Sequence, residues 1–309
     1  TFEIILPAIS PMKSISFFLL ALSLILPAGR AQIAPQVPRA QIAGLDVLIY
    51  TTGVNDVVTI EGSLPAGDVF AGDGNVAIPT LTGMLLEQGT TTQNQFVIAE
   101  KLERVGASIS FSAGDQLLNI QAKCLKKDVA LVIGLIAEQL RYPALAPEEL
   151  AKAKKQFSGS LQRQLENTDF RAGEAFNQAA YPAGHPNRTP STDEFLTAIA
   201  SATIEEIRAF HAKYYGPAHC TLVLVGDVEP LVITTALTTG FSGWTGGSDL
   251  PHSAKATATD SAKNQNVFIA GKTSISVVMG QTTGLRYSDP DYQALKVATA
   301  VLGGGGFSG

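Results

Sequence analysis

The order in which strand-like and helix-like runs follow one another constrains this chain more than any other feature. Asp46–Thr51 (DVLIYT) and Val57–Leu64 (VVTIEGSL) alternate and are rich in β-branched residues, so both read as strands, and Pro65 breaks the second. A helix from about Asn75 follows, with Leu81, Met84, Leu85 and Leu86 at helical spacing and Gly89-Thr90 as its stop. A second helix is expected over 93–105, opened by a capping box from Thr92 to Gln95 and ended by Gly106. Ala107–Ala113 and Gln116–Leu125 read as a hairpin across Gly114-Asp115. Helical runs then come with no strand between them: Asp128–Arg141, Pro147–Glu166, Phe170–Tyr181, and a pair headed by the capping boxes Ser191…Glu194 and Thr203…Glu206. Cys220–Gly226 (CTLVLVG) is a buried strand, and Glu229–Thr238 a helix. This order predicts an α+β fold, an antiparallel-rich sheet with helices packed mainly on one face.

Three features lie outside that core. Met12 reads as the start of translation, with Thr1–Pro11 upstream of it. Lys13, the apolar run Ile15–Leu26, and small residues at Gly29 and Ala31 then form a secretory signal peptide over 12–31, cleaved before Gln32; the run falls short of the roughly 20 residues a membrane span needs. Export predicts a secreted or periplasmic protein with no membrane span after cleavage. Residues 246–262 form a Gly/Ser/Thr/Ala-rich linker. Beyond it Val267–Met279 reads as a strand and Asp289–Leu302 as a helix, ahead of the glycine run Gly303, Gly304, Gly305 and Gly306. The expected organisation is therefore 1–31 as upstream residues plus signal peptide, 32–245 as a complete first domain, 246–262 as linker, and 263–309 as the start of a truncated second domain.

Composition removes some classes of function. The net charge is −5 over 309 residues, and no basic cluster marks a nucleic-acid partner. The four histidines, His185, His211, His219 and His252, show no helical pair with a Glu between them, so none is expected to bind metal. The glycine run follows a helix rather than opening one, which excludes a phosphate loop. Cys124 and Cys220 lie in strand contexts, either as buried free thiols or as a disulfide.

Several stretches in sequence order resemble the M16 zinc peptidases, the pitrilysin, insulinase and mitochondrial processing peptidase family. They are Arg141-Tyr-Pro-Ala-Leu-Ala-Pro-Glu-Glu-Leu150, His185-Pro186, Ile207-Arg-Ala-Phe-His-Ala-Lys-Tyr-Tyr215, Pro217-Ala-His-Cys-Thr-Leu-Val-Leu-Val-Gly-Asp227, and the closing Leu302-Gly-Gly-Gly-Gly-Phe-Ser308. The resemblance runs from about Val37 onward and implies the LuxS/MPP-like metallohydrolase fold. It also implies a zinc site with the pattern H-x-x-E-H on the first helix, where Glu is the general base, and a third ligand on the long helix. Anchored on Gly89-Thr90, the three motif positions are Thr80, Gly83 and Met84, and the third ligand falls at Leu161.

Those residues cannot do that chemistry. A threonine hydroxyl is a poor zinc ligand, a thioether prefers soft metals, and glycine has no carboxylate to take a proton. The nearest acid to Leu161 toward the end of the helix is Glu166. The resemblance therefore implies a degenerate member with no catalytic, cofactor-binding or metal-binding residue. Its expected role is the non-catalytic partner of an active M16 zinc-peptidase subunit, in a heterodimer that encloses peptide substrates. Gly303–Gly306 would be a peptide-contacting loop. Two alternatives stand beside it: an active zinc-dependent metalloendopeptidase with a divergent site, and a stand-alone peptide-binding protein.

Overall fold

A computed structural model describes residues 37–53, 56–182, 185, 187–251 and 263–304. The chain separates into two compact units, 1–37 and 38–309, and the fold belongs to the second. The signal-peptide region Met12–Ala31 lies outside the described residues.

Among the described residues six strands form one sheet: β1 (Arg39–Ile42), β2 (Leu45–Thr51), β3 (Val57–Leu64), β4 (Ser108–Ala113), β5 (Leu118–Leu125) and β6 (Thr221–Gly226), in the order β1-β2-β6-β3-β5-β4. Only the β2·β6 pair is parallel, so the sheet is antiparallel-rich as expected. β5 alternates buried and exposed along its whole length, with Leu118, Ile120, Ala122 and Cys124 turned inward. That alternation is the mark of a sheet covered on one face.

The helices among the described residues are α1 (Ile78–Leu86), α2 (Gln95–Val105), α3 (Val129–Arg141), α4 (Pro147–Gln164), α5 (Thr168–Ala180), α6 (Thr192–Ser201), α7 (Ile204–Tyr214), α8 (Pro230–Phe241) and α9 (Tyr292–Thr299). The cover comes chiefly from α1, α3, α7 and α8. The core joins Leu81, Leu85 and Leu86 of α1 to Val132, Ile133, Ile136 and Leu140 of α3, and to the inward residues of β2, β3, β5 and β6. α1 lies at the centre of this layer, packed against α4, α7 and β4. Ser191 and Thr203 do form complete capping boxes with Glu194 and Glu206.

The structure corrects several expectations. Residues 75–77 are a turn rather than helix: the Asn75 side chain accepts from Ala77 N at 2.9 Å and donates to Ala198 O at 2.8 Å, so α1 begins at Ile78. Thr92 heads no capping box. Its hydroxyl and that of Thr90 donate to the Glu138 carboxylate on α3, and Gln93 Nε2 donates to the same group at 2.6 Å. Asn94 caps α2 instead, accepting from Phe96 N and Val97 N. Gly106 does end that helix, at φ 63°.

Val267–Met279 is not a strand. It runs without a ladder among the described residues, with Phe268, Ile275, Val277 and Met279 largely exposed. β-propensity records how well a side chain fits a pleated, half-buried surface, and among the described residues no neighbouring strand provides one for this stretch. It is tied instead to the start of α5, where Ser276 Oγ donates to Asp169 Oδ1 at 2.6 Å. α9 begins later than expected and continues as a π-helical turn, Ala300–Gly304.

Both cysteines are buried free thiols. Cys124 is paired with Val58 on β3, whereas Cys220 directly precedes Thr221, which is paired with Ser63. Two strand spacings and about 20 Å of strand separate them, far beyond the roughly 7 Å a disulfide allows.

Candidate functional site

α1 and α4 carry Thr80, Gly83, Met84 and Leu161, the positions that the sequence resemblance aligns with the ligands and base of the zinc peptidases. The helix is set by Pro79 in its first turn and by an apolar face that the sheet and α3 bury. Thr80 is half-buried, and its Oγ1 lies 3.3 Å from Asp68 Oδ1 as donor. Gly83 is buried against the β4–β5 hairpin. A Cβ there would stand 3.2 Å from Leu118 Cδ1 and 3.5 Å from Ala113 N, so the missing side chain is what lets helix and hairpin approach. Met84 and Leu161 are half-buried and pack on the core, with α1 and α4 in contact.

The structure thus brings Thr80, Gly83 and Met84 together on one helix and sets α4 beside it. It assembles no donor set there. Among the described residues no group of three or more His, Cys, Asp or Glu could hold a metal ion. Zinc, the metal the fold family implies, needs several N, S or O donors at about 2.0–2.3 Å. A hydroxyl already donating to Asp68, a glycine, a thioether and a leucine do not fit it.

The remaining candidates are accounted for elsewhere. Glu166 is exposed and lies 3.9 Å from Lys272. The His211 ring hydrogen-bonds to Leu140 O at 2.9 Å, and burial holds its pKa below the ordinary value. His219 pairs with Asp249 at 2.5 Å on the surface, and His185 stacks on Tyr181. His252 lies outside the described residues, as do Gly305 and Gly306, while Gly303 and Gly304 close the π-helical turn after α9.

Two acids that the sequence did not single out border α1. Asp68 stands in the turn before it, where Gly67, Asp68 and Val69 donate backbone N–H groups to Gln116, Gly114 and Asp115 of the hairpin. Burial raises the Asp68 carboxyl to about 6, against the opposing hydrogen bond from Thr80 and with a further push from Asp115. Glu87 directly follows α1, and its Oε1 accepts from Phe111 N on β4 at 2.9 Å. Burial raises its pKa too, against that hydrogen bond. No periodicity marks either residue, because each is placed by the hairpin rather than by its own segment.

Comparison with known proteins agrees with this architecture. Residues 201–309 match the family described as the peptidase M16 inactive domain. An uncharacterized zinc protease of Rickettsia felis is 24% identical over 189 residues, which is 60% of this chain and 45% of that protein. A crystal structure of a peptidase M16 inactive domain from Pseudomonas fluorescens superposes with a TM-score of 0.74 at 20% identity, over 88% of this chain and 65% of that one. The first half of the periplasmic protease PqqL from Escherichia coli superposes with a TM-score of 0.62 at 16% identity, covering 72% of this chain and 50% of that one. The chain spans less than half the length of the Rickettsia relative.

Proposed function

We propose that this chain, an M16 peptidase-like homologue of zinc proteases, is the non-catalytic partner of an extracytoplasmic zinc peptidase and helps to enclose peptide substrates. One observation supports the reading: the α+β frame is kept, while the positions that the sequence resemblance aligns with zinc ligands and base, Thr80, Gly83, Met84 and Leu161, offer no metal donors, and Gly83 is built into the helix–hairpin contact. A frame retained without donors suits a subunit that contributes shape, with chemistry supplied by a zinc-bearing partner. The periplasmic location of PqqL and the apolar run Ile15–Leu26 support export. Among the described residues no helix is long and apolar enough to cross a membrane.

The test is a pair of assays. The chain is purified alone and together with an M16 subunit that carries an intact H-x-x-E-H motif from the same source. The mixture is expected to form a stoichiometric complex and to cleave an unfolded peptide faster than the zinc subunit does, while this chain alone cleaves nothing. Cleavage by the isolated chain, or no complex and no rate gain, contradicts the reading.

A further inference from the structure

Where β5 leads into α3 and β6 into α8, the surface opens into a cleft of about 480 Å³. Leu125, the last residue of β5, forms its apolar wall with Val129 of α3 and Val232 of α8. Leu125 and Val232 are 38% and 39% exposed, and neither joins the apolar core. The outward positions before Leu125 on β5 are Asn119, Gln121 and Lys123, so the leucine is the apolar exception on that face. Two aliphatic side chains left in water around a concavity of this size match a small-molecule site, for which roughly 300–1,000 Å³ is usual. The cleft lies far from the Gly83 contact: Gly83 meets Leu118 at the start of β5, and Leu125 follows roughly 24 Å along the strand.

Charge decides which ligand suits it. Lys126 pairs with Asp227 at 3.0 Å and with Glu229 at 3.2 Å, and Lys127 Nζ stands 3.9 Å from Asp128. Asp56 also lines the cleft, and among the described residues no cation pairs with its exposed carboxylate. Four carboxylates thus surround two ammonium groups. α3 and α8 both begin here and run parallel, since Arg141 at the end of α3 donates to Gly240 O and Ser242 O at the end of α8. Each helix start adds about half a positive charge, which leaves an excess of roughly one negative charge.

We propose that this cleft binds a small organic amine with an apolar body. The body lies on Leu125, Val129 and Val232, and the ammonium takes Asp56 and Glu229 as its counter-charges. This site goes beyond the peptide-enclosing role and does not depend on it.

The probes are 4-phenylbutylamine and 4-phenylbutyrate, which share one body and carry opposite charges. Each is titrated into the full chain by isothermal titration calorimetry at neutral pH and low salt. The amine is expected to bind about tenfold more tightly than the carboxylate, the scale of one exposed ion pair gained in place of one repulsion. Added salt is expected to narrow that gap. Leu125→Ser and Val232→Ser are each expected to weaken the amine about threefold or more. Asp56→Asn together with Glu229→Gln is expected to close most of the gap between the probes. Asn suits the left-handed backbone of Asp56, at φ 61°. Phe268→Ser, at a 90% exposed position outside the cleft, is expected to change nothing. The substituted side chains lie at the surface, and thermal melts check that each variant is folded. Equal affinity of the two probes for the wild-type chain, or no binding of the amine at about 10 mM, overturns the proposal. So does unchanged binding in both cleft serine variants, or an unchanged gap in the double variant. An equal loss in Phe268→Ser shows adsorption to exposed apolar surface and overturns it as well.

Discussion

Gly83 decides what can be restored. On the alignment proposed above, re-creating a zinc site needs Thr80→His, Gly83→Glu, Met84→His and Leu161→Glu together. The penalty in that set is expected at Gly83, which is buried, rather than at Leu161, which is half-exposed. A carboxylate at 83 must displace Leu118 and enters an apolar contact, so Gly83→Glu alone should destabilise by about 3 kcal/mol or more in urea unfolding, and zinc should not rescue it. A destabilisation below about 1 kcal/mol would mean the contact yields easily. Asp68 gives the other test at this scale. Its folded pKa, about 6, lies above the ordinary 3.8. The native state therefore holds that proton more tightly, and stability is lost as pH rises between those values. Asp68→Asn should raise stability at pH 8 by about 1 kcal/mol, a figure discounted for partial exposure, and change it little at pH 3. Equal effects at the two pH values would show that the carboxylate is not desolvated.

At the level of elements, the turn between α1 and α2 shows how tertiary partners override local patterns. Three side chains, from Thr90, Thr92 and Gln93, converge on Glu138 of α3. Desolvation raises the Glu138 pKa, but these hydrogen bonds and Lys101 outweigh it and leave the group below its ordinary value. The stability it contributes is therefore present at neutral pH and lost as pH falls through the folded pKa. Glu138→Ala should lower stability by about 1.5–3 kcal/mol at pH 7, with a smaller loss in acid. The sequence could not show this. Thr92 carries the chemistry of a helix cap, and only the fold brings an acid from a distant helix to it. By contrast β3 is legible to the residue, because its alternation is regular and Pro65 ends it. The capping boxes at Ser191 and Thr203 are legible because both halves lie within one helical turn. Val267–Met279 fails for the opposite reason: its composition suits a strand, but pairing depends on a neighbour elsewhere in the chain. Asp68 and Glu87 stay invisible for the same cause, since hairpin contacts alone give them roles. Within α1 the packing is ordinary, and Leu85→Ala should cost about 2–5 kcal/mol in the same unfolding assay.

For the whole molecule, the apolar core spans α1, α3, α7, α8 and the sheet, and among the described residues no donor cluster joins α1 to α4. The region that a metal would tie together in a zinc peptidase is held here by packing and by the contacts of Thr80 and Gly83. Chelators should therefore leave the melting temperature unchanged. The most direct measurement is zinc content by elemental mass spectrometry on the purified chain, after stripping, reloading with excess zinc and desalting. The account predicts no stoichiometric zinc and the same melting temperature throughout. About one tightly held zinc per chain, with a melting temperature that rises on loading, would contradict it.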